Sequence, residues 1–294
     1  MDVPVTTTTT TTLAPTDPVV VRRPSQQTVP IVFASPHSGR HYPDELLASS
    51  RLDALSLRRS EDSFVDELFA AAPDLGAPLI AATFPRAWCD ANREPWELDQ
   101  GMFADRLPGW VNTTSARVGA GLGTIARVVA SGEAIYRSKL SFADAERRIN
   151  TCWQPFHETL EGLVAGTQAV FGACLLIDCH SMPTHGHVSR SGGKPADFVL
   201  GDAHGTACSP LVTRLVEGLL SAQGFSVRRN DPYAGGYITR HYGRPRDGVQ
   251  ALQIEIARDL YMDEARIERL VGFADVQSAV TRLISDLTKS LSLP

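Results

Sequence analysis

No stretch of the chain is apolar for long enough to span a bilayer. The longest, Ala169–Ile177, is about half of the roughly 20 residues that a spanning helix needs. The start of the chain has no positive segment leading into an apolar one, so no secretory signal is expected and the cytoplasm is the expected compartment. Cysteine is scarce: Cys89, Cys152, Cys174, Cys179 and Cys208 form an odd set without the close pairs of a zinc knuckle. They read as reduced, mostly buried thiols. Basic charge is not in excess either. With 28 Lys and Arg against 33 Asp and Glu, the net charge is −5 and the pI about 5.9, which disfavours a nucleic-acid module. There is no G-x-S-x-G elbow, P-loop or G-x-G-x-x-G, so serine hydrolase, NTPase and dinucleotide-binding readings lack support. Gly119–Gly123 is Gly-rich but leads into no clear helix.

What is present is ordinary globular text, 43% apolar and 21% charged over 294 residues. A chain of this length buries about three quarters of its unfolded surface. Residues 1–29, with an unbroken threonine run from Thr6 to Thr12, read as a disordered leader without an apolar face. Residues 30–294 read as a single catalytic α/β domain. Ile31–Ala34 is a short apolar strand entering the loop Ser35-Pro36-His37-Ser38-Gly39. Ser60 reads as the cap of a helix with Glu61 and Asp62 in its first turn, Phe64 to Ala72 as its apolar stripe and Gly76 at its end. A strand over Pro78–Phe84 is followed by a long irregular stretch from Pro85 to about Gly121. Thr124–Ala130 and Ala134–Arg137 read as a hairpin, and Ser141 with Asp144 as a capping box. The helix this opens should bend at Pro155. Ala173–Asp178, Phe198–Leu200, Phe225–Arg228 and Val249–Ile256 read as strands, Leu211–Leu220 as a helix, and Asp263–Leu291 as a closing helical region. Strands alternating with helices, several apolar throughout, argue an α/β sandwich with a mostly parallel sheet.

Ligands in such sheets gather at the carboxyl ends of strands. Three places there carry chemistry: His37, Asp178 with His180, and Glu255. A histidine after a strand is often a hydrogen-bonded loop residue, but two such histidines shift the balance towards a shared site. Asp178 is open to three roles: ligand, partner fixing a histidine tautomer, or loop-starting aspartate. In Leu252-Gln253-Ile254-Glu255-Ile256, the three aliphatic residues share one face and Gln253 and Glu255 the other. Glu255 therefore stands on a solvated edge strand, or is paired, or faces a wet cleft, since a dry unpaired carboxylate is costly. Histidines and carboxylates without a thiol pair suit zinc or another borderline divalent ion.

Ser-Pro-His37-Ser-Gly, Asp90-Ala-Asn92-Arg93, Asp178-Cys-His180-Ser-Met, Gly201-Asp202, the Gly236–Gly243 segment, and Gln253-Ile-Glu255 followed by Tyr261-Met262 together resemble the N-formylglutamate amidohydrolase family. The resemblance covers roughly residues 30 to 285. It implies a distant likeness to the zinc carboxypeptidases: a three-layer sandwich, helices on both sides of a mixed, mostly parallel sheet. The implied activity is zinc-dependent hydrolysis of an N-formyl amino acid, with N-formyl-L-glutamate as the best guess, in histidine degradation. By the same resemblance His37 and His180 match the zinc histidines and Glu255 the general base. Asp62 is the third ligand, with Glu61 its competitor, because Arg40 stands where the carboxypeptidase pattern would put a glutamate. Arg93 and Arg240, with Arg148 third, are candidates for the substrate carboxylates, since the guanidinium fork binds carboxylate bidentately. His157 and His241 are possible cleft residues, and His185, His187 and His204 possible extra metal contacts. The expected partner is a small anionic N-acyl amino acid, with no nucleic acid or membrane and an open oligomeric state. A zinc hydrolase of another N-acyl amino acid or small peptide, and an inactive binding relative, remain the alternatives.

Overall fold

Seven strands form one mixed sheet in the computed structural model, which describes residues 17–184 and 196–291. They are β1 (Val19–Arg22), β2 (Ile31–Ser35), β3 (Leu79–Ala82), β4 (Cys174–Met182), β5 (Phe198–Gly201), β6 (Val227–Arg229) and β7 (Val249–Ala257). Their order is β1-β3-β2-β4-β7-β5-β6. Four neighbouring pairs are parallel, while β1 runs antiparallel to β3 and β5 antiparallel to β7. A separate two-stranded ribbon joins β8 (Met262–Asp263) to β9 (Glu268–Arg269). The helices are α1 (Asp44–Ser49), α2 (Ala54–Arg58), α3 (Val65–Leu68), α4 (Ala116–Gly119), α5 (Phe142–Arg148), α6 (Gln154–Phe171), α7 (Pro210–Ser221), α8 (Tyr237–Tyr242) and α9 (Phe273–Leu291). None among the described residues is long and apolar enough to cross a membrane.

Strand alternation divides the core into two layers. Val32 and Ala34, Leu176, and Ala251 pack with Leu46 of α1, Leu57 of α2 and Phe156 and Leu160 of α6. Ile31 and Phe33, Leu175 and Ile177, and Leu252 and Ile254 pack with α3, α7 and α9 through Leu68, Leu220 and Leu283. The first of these faces changes character along its strands. On it, the early halves of β4 and β7 are apolar (Cys174 and Leu176; Val249 and Ala251), and the late halves are polar (Asp178 and His180; Gln253 and Glu255). The five cysteines are buried and unpaired, as their spacing predicts.

The elements depart from the sequence pattern in several places. First, the expected disordered leader of residues 1–29 ends earlier: Val19–Arg22 pairs with Leu79–Ala82, Val19 and Val29 are buried, and the Thr6–Thr12 run lies outside the described residues. Three consecutive valines next to an open sheet edge outweigh the surrounding polar composition. Second, Ser60 caps no helix; its Oγ accepts from Ala130 N, and α3 starts only at Val65. Third, the bend expected at Pro155 is a π-turn over Ile149–Trp153, with Gln154 N–H reaching Ile149 O. Proline has no N–H for the carbonyl four residues back, and the preceding turn widens to accommodate it. Fourth, the closing helical region begins at Phe273, after β8 and β9, and the expected 124–137 hairpin is reduced to an isolated bridge, Val128↔Ala134.

Deleting residues 1–23 should therefore lower the melting temperature by about 5 °C, the consequence of losing buried Val19, half-buried Val21 and one strand edge. Scanning calorimetry of the truncated and full chains checks this; an unchanged midpoint would show that β1 contributes nothing.

Candidate metal centre and cleft

The carboxyl ends of β2, β4 and β7 open into a cleft of about 430 Å³, a volume typical of small-ligand sites. His37 follows β2, in a loop packed so closely on the next strand's exit that a Cβ at Gly39 would lie 2.0 Å from Phe84 O. Asp62 sits in the turn before α3, its N–H bonded to His37 O at 3.0 Å. His180 lies within β4, two residues beyond Asp178 and on the same face.

These three side chains converge, with one ligand atom each, all within 4.8 Å of one another. Asp62 Oδ2 is 2.9 Å from His180 Nδ1 and 3.3 Å from His37 Nδ1. His37 Nδ1 is buried and makes no hydrogen bond among the described residues, so a ligand atom faces the centre unspent. The far nitrogen of each ring is held by its own carboxylate: His37 Nε2 by Asp90 Oδ1 at 2.7 Å, His180 Nε2 by Asp178 Oδ1 at 2.7 Å. Carboxylates on the outer nitrogens fix the orientation in which both Nδ1 atoms face Asp62 Oδ2, where the three atoms could share a cation. Two imidazoles and one carboxylate, without thiols, fit zinc or a similar divalent ion.

The supports extend outward. Arg258 at the end of β7 is buried and donates to Asp62 Oδ1 (3.0 Å), Ser181 Oγ (3.1 Å) and the Glu61 carbonyl (2.6 Å), which leaves Asp62 Oδ2 for the histidines. Asn92 accepts from Ile238 N at 2.7 Å, which fixes its amide so that Nδ2 donates to Asp178 Oδ2 at 3.2 Å. A Cβ on Gly236 would lie 2.4 Å from that amide, so only glycine lets the 233–236 loop close over it. The 91–93 segment is held from below by His157 Nε2 on Ala91 O (2.8 Å) and Trp153 Nε1 on Arg93 O (3.0 Å). Trp153 is delivered by the π-turn and stacks on His157 at 3.9 Å.

Burial would raise Asp62, but His180 and His37 hold it well below the usual carboxylate range. Burial likewise opposes charge on His180, yet Asp178 and Asp62 hold its imidazolium well above the ordinary histidine range. Glu255 differs. It is the register partner of His180 on β7, a strand paired on both sides, so the solvated-edge explanation fails. Its Oε1 accepts from Gln253 Nε2 at 2.8 Å, and Gln253 in turn accepts from Gly236 N. Burial pushes Glu255 up to about 8, against the pull of His180.

A model of the N-formylglutamate amidohydrolase family matches residues 29–262. The chain belongs to that family. It is similar to proteins named N-formylglutamate deformylase from Pseudomonas putida (31% identical, 81% of this chain and 84% of that one) and Pseudomonas aeruginosa (32%, 90% and 92%). The crystal structure of N-formylglutamate amidohydrolase from Ralstonia eutropha superposes with a TM-score of 0.87, at 37% identity over 93% of this chain and 98% of that one. A gene product of Agrobacterium tumefaciens shares the fold, with a TM-score of 0.64 at 18% identity over 94% and 97% of the two chains.

The other expected residues divide. Glu61 turns away from the centre onto Arg58 (2.9 Å) and Ser63 (2.7 Å), leaving Asp62 at the histidines. Arg93 and Arg240 line the cleft, but Arg93 spends Nε on Leu122 O (2.8 Å) and Nη1 on Asn92 O (2.7 Å), and burial lowers it to about 10. Arg148 does not reach the cleft. Its guanidinium lies 3.6 Å from the centroid of the Trp88 ring and donates to Tyr136 Oη at 2.7 Å, a buried cation held by aromatic faces. His157 is buried beneath the site, and burial lowers it to about 4; His241 is exposed and stacks on Tyr237. His204 is exposed and stands outside the convergent set, while His185 and His187 lie outside the described residues. Asp90, Arg86 and Arg258 carry no role that residue order alone suggests. Asp90 opens the Asp90-Ala-Asn92-Arg93 motif, and Arg86 and Arg258 each closely follow an apolar strand, which is the signal that would have marked them.

His37→Ala and His180→Ala should each abolish stoichiometric zinc binding in calorimetric titration while leaving the circular dichroism spectrum folded. Asp62→Ala should weaken zinc far more than Glu61→Ala, and the opposite order would move the ligand to Glu61. Arg148→Met should lower the melting temperature yet leave KM within about twofold, because a residue buried behind the cleft acts on stability. A large rise in KM would return Arg148 to the substrate.

Proposed function

We propose that the chain hydrolyses the amide of N-formyl-L-glutamate to formate and L-glutamate, with a divalent ion, zinc by donor type, held by His37, Asp62 and His180. The observation that carries this reading is the convergence of those three side chains beside a buried glutamate with an oxygen to spare. The two relatives named N-formylglutamate deformylase support the choice of substrate. On this reading the reaction serves histidine degradation in the cytoplasm, and the catalytic unit includes β1.

A divalent ion in such a site supplies Lewis acidity, polarising a carbonyl and bringing the pKa of water towards neutrality. The chain supplies the proton transfers. Gln253 occupies Oε1 of Glu255, and Oε2 has no protein partner among the described residues, so that oxygen takes the proton of the attacking water. As the C–O bond forms and the C–N bond breaks, Glu255 returns the proton to the departing amine nitrogen. A carboxylate raised towards neutrality by burial is a better base than a solvated one. Arg86 lines the cleft with Nε held by Asp90 at 2.8 Å, and its charge stabilises the oxygen of the formyl group as it becomes negative. Arg93 and Arg240 attract the anionic substrate.

Zinc-loaded protein should release formate from N-formyl-L-glutamate. Glu255→Gln keeps size and one acceptor but cannot take a proton. It should retain zinc and lose at least about 10²-fold in turnover. Bound metal and rate measured on one sample separate the outcomes: normal turnover would remove the base from Glu255, and loss of zinc would make it a ligand.

A further inference from the structure

The cleft does not end at the metal centre. A second cavity of about 270 Å³ adjoins it, and the two share Asn92, Arg93, Arg117, Gly235, Gly236 and Arg240. Three guanidinium groups thus stand at the junction. Among the described residues, neither Arg117 nor Arg240 has a carboxylate within ion-pair distance. Among those residues Arg240 spends only Nε, on Gly235 O at 3.3 Å, and the Arg117 guanidinium makes no hydrogen bond. The acids of the second cavity are engaged elsewhere: Glu94 accepts from Asn112 Nδ2 at 3.1 Å, and Glu97 from Glu94 N at 3.3 Å.

Although the Arg117 side chain is exposed, its backbone is braced. Ser115 Oγ caps α4 by accepting from Val118 N, Val118 is buried, and Arg117 O accepts from Leu122 N at 2.9 Å. Leu122 O in turn receives Arg93 Nε. The loop presents one uncommitted fork from the side of α4, while Arg240 comes from α8. Of the three, only Arg93 has a carboxylate within ion-pair distance among the described residues, Asp90 at 3.7 Å; the two cations left over beside it favour an anion that completes them. The charge of Arg117, after burial and Arg86, also helps lower Arg93.

We propose that Arg117, with Arg240, clamps the side-chain carboxylate of the substrate and so sets the preference for acidic over neutral N-formyl amino acids. Arg93, tied to two carbonyls and lining both cavities, serves the nearer α-carboxylate that all such substrates share. This assignment rests on the proposed reaction and names its specificity-determining residue.

The test compares kcat/KM for N-formyl-L-glutamate and N-formyl-L-glutamine in zinc-loaded wild type and Arg117→Gln. The glutamate-to-glutamine ratio should fall at least about 10-fold, the low end for losing a hydrogen bond to a charged group. An unchanged ratio, with both substrates falling together or neither falling, overturns the assignment while leaving the reaction standing. A second arm measures calorimetric binding of both compounds to Glu255→Gln and to Glu255→Gln with Arg117→Gln. If wild type releases no formate from either compound, the proposed reaction fails, and binding still decides the clamp. Discrimination present in the single variant and lost in the double variant supports it; equal discrimination in both, or binding of neither compound, overturns it.

Discussion

The carboxylate of Asp62 is the point on which the site turns. It is almost fully buried, and a lone buried carboxylate would be neutral or intolerable. It stays charged because two histidine rings reach Oδ2 and Arg258 reaches Oδ1. Each of those partners is itself fixed, His37 by Asp90 and His180 by Asp178, with Asp90 further held by Arg86. Such a network is worth having only when every member is satisfied, because removing one partner leaves a buried charge exposed to the low dielectric. The one buried ring nitrogen without a hydrogen bond among the described residues, His37 Nδ1, is therefore informative: it points at the place where a cation completes the set.

The sheet delivers this network by simple alternation. On one face of β4 and β7, apolar residues at the strand starts pack under α6, and polar residues at the strand ends rise into the cleft. The register sets His180 against Glu255, so the two groups arrive on adjacent strands without any loop having to place them. The residues delivered by loops need bracing instead. The 90–93 segment is tied by Thr124 O, His157, Trp153 and Tyr237 N, and the π-turn ahead of Pro155 gives Trp153 its position. Strand-borne groups inherit their precision from the sheet, while loop-borne groups acquire it from buried hydrogen bonds.

This difference decides what the sequence could reveal. His180 was legible because it follows a continuous apolar run, Glu255 because it stands on the polar face of a strand whose other face is aliphatic, and His37 because a strand runs into its loop. Their motifs also fixed the family. Asp62 was legible as a residue but not as a position: a helix N-terminus was expected, whereas the chain forms a turn whose carboxylate is spent on histidines. β1 was hidden because its valines lie in text otherwise typical of disorder, and only the open edge of β3 gives them a partner. Arg148 misled because arginine composition does not distinguish a carboxylate fork from a cation stacked on tryptophan. Arg258 and Arg117 act through contacts or open space set by distant segments, which no local pattern encodes.

The distribution of charge along the cleft explains how one pocket can serve two opposite demands. At the end that carries His37, Asp62 and His180, the carboxylates of Asp62, Asp90, Asp178 and Glu255 outnumber the guanidinium groups of Arg86 and Arg258, a surplus of acidic groups that suits a cation. At the other end, Arg93, Arg117 and Arg240 outnumber Glu94 and Glu97, whose carboxylates are turned to neutral amide donors. A cation and a carboxylate-bearing substrate therefore prefer opposite ends of the same cavity. The apolar wall of Leu122, Ala126 and Val128 lies along the cleft and offers nothing to compete for either charge. A ligand with an uncharged amide at one end and carboxylates at the other is oriented by this gradient before any specific contact forms, and the reverse orientation would set carboxylates against Glu255.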